Sequence, residues 1–209
     1  MKSAARHAAT IALLIAACMS PSFADTPGPA EIVEHQTGAR FPALVRIEDG
    51  AEEYRLLPTG MAVRRKFVFD VYSLAHYLQS EPATPRSELL HRILSDDTAK
   101  EAIMVFARDL RAGQIRDGML DAYKANASGT EYAATAAVLD RFLGSIRKDV
   151  SRGERFVVRW LPGGRFQALH AGRRVFEVRD PVFARLYWSV WFGDRPTVDR
   201  DRLMAGWGS

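Results

Sequence analysis

The stretch Thr59–Leu78, TGMAVRRKFVFDVYSLAHYL, carries the strongest β-strand signal in the chain. It is rich in β-branched and aromatic residues and contains no proline. Alternate side chains are largely apolar on both faces, so we expect a strand that is covered on both sides and lies in the middle of a layered domain. The pattern also allows two strands over Tyr54–Leu78, joined near Gly60.

Three polar side chains in this stretch have the same parity and would project from one face of the strand. They are Asp70, Tyr72 and His76. Side chains alternate along a strand, so Arg64 would share this face if no bulge intervenes. This face is where the sequence predicts that a pocket could open.

The elements around this stretch come in blocks. Runs of strands are followed by runs of helices, without the regular strand–helix alternation of a parallel sheet. This order predicts an α+β fold, with a mostly antiparallel sheet and helices packed against it. Strands are predicted over Phe41–Ile47, Glu53–Leu57, Lys100–Leu110 and, as a three-stranded meander, Arg155–Val178, and helices over Ser87–Leu94, Ala112–Asn126, Thr130–Val150, Pro181–Gly193 and Arg200–Met204.

The N-terminal segment has the pattern of an export signal. A basic start with Lys2 and Arg6 precedes the apolar run Ile11–Ala17, which is too short to span a bilayer. Ser22–Ala24 then forms a small-x-small cleavage site. We therefore predict a signal peptide over residues 1–24, an extended leader over 25–40 and one domain over 41–209, in a periplasmic or secreted protein.

A lipid anchor is the alternative to this cleavage. Ile15–Cys18 resembles the bacterial lipobox, in which the cysteine is lipidated and becomes the new N-terminus. Cleavage after Ala24 is favoured because the site follows Ser20-Pro21 and precedes the polar Asp25. Cys18 is the only cysteine, so no disulfide is expected, and no membrane span is expected after the signal.

Composition and motifs exclude several classes of function. The apolar fraction of 47% and the charged fraction of 26% are ordinary for a globular domain. Removing the signal lowers the net charge from +4 to +2, and the basic residues are scattered, so nucleic acid is not an expected partner. We find no phosphate loop, dinucleotide fingerprint or metal-ligand spacing, and so predict no cofactor and no metal site. The four histidines after the signal, His35, His76, His91 and His170, have no second His, Cys or acid at such a spacing.

Three blocks of sequence resemble the bacterial chalcone isomerase-like family. The first runs from Gly60 to Tyr72 and continues to His76-Tyr77-Leu78. The second is Val105–Asp109 with the helix that follows it, and the third extends from Gly153 to Pro196. The resemblance covers roughly Ala43 to Gly206, and its specificity lies in the order and spacing of the blocks.

The resemblance implies a long antiparallel sheet with helices on one face, a small set of strands on the other, and a cleft between sheet and helices. Plant chalcone isomerases close a flavanone ring in that cleft, whereas relatives bind fatty acids without catalysis. The enzyme's catalytic residues are not matched in type, so no catalytic residue is predicted. In this chain, Thr59 and Gly60 stand where the enzyme has its substrate-polarising arginine, and the enzyme's strand threonine falls near Tyr72. The enzyme's tyrosine and asparagine fall near Arg111 and Gly118, and its late serine or threonine falls near Arg185.

Two functions from different classes follow. The first is a binding protein that holds a small apolar acid, such as a fatty acid, with Arg64, Tyr72, His76 and Arg108 as ligand-binding candidates. The alternative is an isomerase or intramolecular lyase acting on an enone-like substrate, with Arg64 as electrophile and Tyr72 and His76 as acid–base groups. A third, weaker hypothesis is an accessory protein with a partner surface formed by Trp188, Trp191 and Trp207.

Overall fold

The structure is a computed structural model that describes residues 30–79, 85–95 and 98–207. The predicted signal peptide, Cys18 and residues 25–29 of the leader lie outside these ranges. None of the described helices is both long and apolar enough to cross a membrane. The strands are β1 Glu31–Val33, β2 Arg40–Pro42, β3 Val45–Asp49, β4 Glu52–Lys66, β5 Phe69–Gln79, β6 Lys100–Phe106, β7 Arg155–Leu161, β8 Arg165–His170 and β9 Arg173–Arg179, and the helices are α1 Arg86–Leu94, α2 Ala112–Asn126, α3 Gly129–Ser145, α4 Pro181–Phe192 and α5 Arg200–Leu203.

Strands β3 to β9 form one seven-stranded sheet in which sequence neighbours pair in order, all antiparallel. Each strand therefore returns beside the one before it, and the sheet needs no crossover connection. Strands β1 and β2 pair separately. The predicted α+β class with a long antiparallel sheet is confirmed.

The stretch that carries the strongest strand signal is a hairpin. Strands β4 and β5 are joined by the two-residue turn Phe67-Val68, with Lys66 opposite Phe69. The single strand predicted over Thr59–Leu78 is therefore wrong, and the alternative of two strands misplaces their junction at Gly60. The turn is hidden from sequence patterns because it contains none of the usual turn residues, although Phe67 has a φ of 57°.

Helix α4 forms the centre of the core between the sheet and the helices. Asp180 caps it by accepting a hydrogen bond of 2.9 Å from the Phe183 amide, Pro181 occupies its first turn and Gly193 ends it, which agrees with the helix predicted over Pro181–Gly193. Trp188 and Trp191 are fully buried against the sheet. They are therefore core residues rather than the partner surface of the third hypothesis.

The opposite face of the sheet is covered by β1 and β2. Phe41 of β2 is buried against Ala75, Tyr77 and Ile103 of the sheet. The Tyr77 hydroxyl donates to the carbonyl of Pro42 over 2.8 Å. The small set of strands expected on this face is confirmed, and β1 lies inside the stretch predicted as leader.

The strand predicted over Phe41–Ile47 is divided in the structure. Its first part belongs to β2 and its second to β3, with a bend at Ala43-Leu44 between them. The two pieces belong to different sheets. The prediction of a single strand is wrong here because alternation continues across a bend that changes the pairing partner.

Candidate functional site

A cavity of about 290 Å³ opens between the β4–β5–β6 part of the sheet and helix α2. This volume is near the lower end of the roughly 300–1,000 Å³ of small-molecule sites. Most of its walls are apolar, with a few charged and polar groups among them. Its lining residues are Arg64, Lys66, Phe67, Phe69, Val71, Tyr72, Met104, Phe106, Arg108, Leu110, Gln114, Ile115, Asp117, Gly118, Met119, Ile146 and Phe156.

The exposed lining residues show where the cavity opens. Phe67 and Phe69 at the β4–β5 turn are 89% and 57% exposed, and Arg108, Gln114 and Asp117 are also exposed. The mouth therefore lies between the hairpin turn and the first turns of α2. The lining residues farthest from solvent are Tyr72, Met104, Phe106, Met119, Ile146 and Phe156.

Arg64 and Tyr72 are brought together by the register of the hairpin, in which they are direct cross-strand partners. The guanidinium carbon of Arg64 lies 5.8 Å from the centre of the Tyr72 ring, within cation–π range. Its Nη2 donates a long hydrogen bond of 3.5 Å to the carbonyl of Gly118 on α2. Arg64 therefore spans the cavity between sheet and helix, half-buried and beside a buried hydroxyl.

A β-bulge separates Asp70 from this pair. Tyr72 pairs with Arg64 and Asp70 with Arg65, which leaves Val71 as the extra residue. Val71 consequently lines the cavity together with Tyr72. Asp70 pairs with Arg65 at 3.2 Å and accepts from Gln36 at 2.8 Å, so the prediction that Asp70 shares the pocket face is wrong.

The charge of Arg64 has no carboxylate within 4.0 Å in the described part of the chain. Asp117 on α2 is the acidic residue among the described lining residues, and it forms no ion pair with Arg64, Lys66 or Arg108 there. Among the described residues, the cavity thus holds three basic side chains and one acidic one. Its electrostatics favour an anionic group of a ligand.

The hydroxyl of Tyr72 already accepts one hydrogen bond. The indole Nε1 of Trp191 donates to it over 3.0 Å. No acceptor for its own proton is found among the described residues, so it can donate to a bound oxygen. Burial raises the pKa of nearby Tyr187 well above its ordinary value, with Tyr72 acting in the same direction and Arg64 opposing.

Arg108 stands at the mouth rather than in the interior. It follows β6, it is exposed, and its guanidinium carbon lies 5.2 Å from the centre of the Phe69 ring. The structure therefore brings three of the four predicted ligand-binding residues to one cavity: Arg64, Tyr72 and Arg108. An exposed cation of this kind contributes less to binding than a buried one, because water screens it.

His76, the fourth predicted residue, lies outside the cavity. It is fully buried, and its ring centre is 4.7 Å from that of Phe192. Trp188 Nε1 donates to its Nε2 over 3.0 Å, so the proton of the neutral ring sits on Nδ1 and is donated to Thr59 Oγ1 at 2.8 Å. Burial lowers the pKa of His76 well below its ordinary value, and the charge of Lys100 adds to the effect. Its role is structural.

Sequence reasoning missed the side of the cavity formed by α2. It predicted the helix over Ala112–Asn126 but not that Ile115 and Met119 on this helix line a cavity. It also missed Trp191 as the partner of the Tyr72 hydroxyl. Helical spacing predicts which face is apolar but not whether that face packs completely or leaves a space.

Comparison with known proteins agrees with this architecture. The chalcone isomerase-like family model matches residues 34–203. The chain belongs to the chalcone isomerase-like family. No curated protein matches it.

A solved structure supports the fold of this family member. The crystal structure of an Arabidopsis thaliana fatty-acid binding protein, AtFAP1, matches with a TM-score of 0.66. The match covers 84% of this chain and 96% of the other at 16% sequence identity. At this identity the likeness shows the fold alone.

Proposed function

We propose that the protein binds a small apolar carboxylic acid, such as a long-chain fatty acid, in the cavity beside α2. The observation that carries this proposal is the half-buried Arg64, which lies in a largely apolar cavity without a described carboxylate partner. An Arg fork can hold a carboxylate through two hydrogen bonds. The fatty-acid binding named for the structural neighbour AtFAP1 agrees with this ligand class.

In this proposal the ligand carboxylate meets Arg64 and the proton of the Tyr72 hydroxyl. The hydrocarbon chain lies along the apolar walls formed by Met104, Phe106 and Met119. Burial of each methylene contributes about 0.8 kcal/mol, so the chain supplies affinity while the charged end fixes orientation. Arg108 adds a screened attraction at the mouth.

Titration calorimetry with palmitate tests the role of Arg64. Arg64→Ala should weaken binding by about 1.5–3 kcal/mol, the usual contribution of a hydrogen bond to a charged group. The affinity of Arg64→Lys should lie between those of the wild type and Arg64→Ala, because lysine keeps the positive charge but lacks the planar guanidinium fork. Arg108→Ala should lose less than Arg64→Ala.

Arg173→Ala is the matched control. Arg173 is an exposed arginine of β9 that does not line the cavity. The Arg173→Ala variant should bind palmitate with the affinity of the wild type. Equal affinity of the wild type and Arg64→Ala would remove Arg64 from the site, and absence of binding by the wild type would remove fatty acids as the ligand class.

The geometry gives less support to an isomerase or lyase. That alternative needs Tyr72 and His76 as acid–base groups around one substrate, but His76 is enclosed by Thr59, Trp188 and Phe192. Both of its ring nitrogens already have partners. Without it, the described lining residues offer Arg64 as an electrophile, the Tyr72 hydroxyl and the exposed carboxylate of Asp117.

We further propose that the protein is exported and begins at Asp25. The support is the order of basic, apolar and small residues in residues 1–24. N-terminal sequencing of the processed protein should give Asp25. A lipid-modified Cys18 would instead indicate a membrane-anchored protein.

A further inference from the structure

The turn of the β4–β5 hairpin exposes three consecutive large apolar side chains. Phe67 is 89% exposed, Val68 74% and Phe69 57%. Phe67 also has a φ of 57°, a left-handed conformation that costs a side-chain-bearing residue free energy and favours glycine. Backbone preference does not explain Phe67, and packing within the described chain leaves most of Phe67 and Val68 exposed, which suggests a contact made outside the molecule.

Basic residues surround this turn. Residues 64–70 contain Arg64, Arg65, Lys66 and the single acid Asp70. Asp70 is paired with Arg65, whereas Lys66 and Arg108 have no ion-pair partner in the described part of the chain. An apolar tip with cationic sides fits the surface of a bilayer that contains anionic lipids, where apolar insertion and charge attraction act together.

A protein partner fits this tip less well. A stable interface buries about 800 Å² on each partner, whereas a fully buried aromatic side chain contributes only about 150–250 Å². Two Phe and one Val at the tip of one hairpin fall short of that area. A bilayer needs no complementary surface, and aromatic rings are favoured at its interface.

We propose that residues 65–69 dock the protein onto anionic membranes, so that the cavity mouth faces the lipid. Phe67 and Phe69 line that mouth, and docking would place it where an apolar acid leaves or enters the bilayer. The role of docking in ligand exchange with the bilayer rests on the proposed function. The docking itself depends only on the exposed turn and its basic neighbours.

Vesicle flotation tests the proposal on the chain beginning at Asp25. This chain contains all of the described fold and lacks the apolar run Ile11–Ala17, which could bind lipid by itself. It should float with vesicles of phosphatidylcholine and phosphatidylglycerol, and much less with phosphatidylcholine alone. Val68→Asp should lower the fraction bound at least tenfold, because it places a carboxylate on the turn.

The control for this variant is Val175→Asp. Val175 is an exposed valine, 38% accessible, on the edge strand β9. The Val175→Asp variant should float with anionic vesicles like the wild type. Lys66→Gln should weaken binding about fivefold, corresponding to about 1 kcal/mol for a basic residue near an anionic surface, while Arg173→Gln should not.

Phe67→Gly is the second turn variant. Its φ suits glycine, so the hairpin should be retained while the most exposed side chain is removed. It should lose flotation while unfolding as cooperatively as the wild type. Flotation of both Val68→Asp and Phe67→Gly at the wild-type level would overturn the proposal.

Two other results would also overturn it. One is a wild type that does not float with anionic vesicles. The other is a lipid-free dimer that dissociates in Val68→Asp, since the turn would then be a protein interface.

Calorimetry with palmitate, without vesicles, separates this proposal from the proposed function. Val68 does not line the cavity, so Val68→Asp should bind palmitate like the wild type. Palmitate binding without flotation would reject docking and keep the proposed function. Flotation without palmitate binding would keep docking and reject the fatty-acid ligand.

Discussion

At the scale of single residues, His76 is a buried histidine with a fixed tautomer. Its Nδ1–H donates to Thr59, and Thr59 Oγ1 donates in turn to the carbonyl of Leu203 over 2.8 Å. Trp188 donates to the other ring nitrogen. This chain of hydrogen bonds connects β5, β4, α4 and the end of α5, and it requires a neutral imidazole.

The neutral imidazole predicts a loss of stability at mildly acidic pH. The folded-state pKa of His76 lies well below its ordinary value, whereas an unfolded histidine titrates near about 6.5. As the pH falls, the unfolded chain binds a proton at this histidine before the folded protein does. The stabilisation that comes from the neutral His76 is therefore present above about pH 6.5 and is lost as the pH falls below it. Between about pH 7.5 and 5.5 the loss should be on the order of 1 kcal/mol.

Urea unfolding of the wild type and His76→Gln at these two pH values measures this effect. Glutamine can keep a donor toward Thr59 and an acceptor toward Trp188 but does not titrate. The change in unfolding free energy between the two pH values should therefore be smaller in the variant than in the wild type, by an amount on the order of 1 kcal/mol. His91→Gln, at an exposed position of α1, should keep the wild-type dependence. An unchanged slope in His76→Gln would show that His76 is not the buried neutral group.

The sequence correctly predicts that Arg64 and Tyr72 lie together, although it predicts one strand where the structure has a hairpin. The sequence places them on one face because they are an even number of residues apart in a predicted strand, where side chains alternate between the two faces. The structure brings them together because they face each other across a hairpin. The bulge at Val71 then removes Asp70 from that face, which strict alternation cannot anticipate.

At the scale of elements, sequence patterns located the helices better than the turns. The predicted helix over Pro181–Gly193 agrees with α4, whose ends are marked by Asp180, Pro181 and Gly193, because capping is a local effect of a few residue types. The Phe67-Val68 turn has no such local signal. A hairpin is specified there by the pairing of two whole strands, which is a property of distant residues.

The same limit applies to the candidate site. Arg64, Tyr72 and Arg108 could be named from residue type and family resemblance, and they line one cavity. His76 could not be separated from them, because its burial depends on Trp188 and Phe192, more than 100 positions later in the chain. The cavity itself depends on incomplete packing between α2 and the sheet, which residue patterns do not encode.

At the scale of the whole molecule, the two faces of the sheet have different roles. The face toward β1 and β2 is closed by Phe41 and its neighbours. The face toward the helices is packed by α4 but remains open beside α2, where the cavity lies. The hairpin turn stands at the edge of that opening, so the candidate ligand site and the proposed membrane contact adjoin each other.

This arrangement also bears on catalysis. Ring closure in the plant enzymes of this fold needs a cation and hydroxyls directed at one substrate. Three of the positions that match these groups, Thr59, Gly60 and Arg185, serve the fold instead. The Thr59 hydroxyl is bonded to His76 and Leu203, the backbone of α5 packs directly on Gly60, and Arg185 pairs with Glu131.

We therefore expect the purified protein to convert a chalcone to a flavanone no faster than buffer does. The cavity offers Arg64 as a cation, but Thr59, Gly60 and Arg185 do not line it. The change in chalcone absorbance, followed with wild type and Arg64→Ala, measures this directly. Parallel calorimetry tests whether the same preparation binds palmitate. A rate above background that disappears in Arg64→Ala would instead make Arg64 the electrophile of an isomerase, because loss of its positive charge would leave the developing enolate without stabilisation.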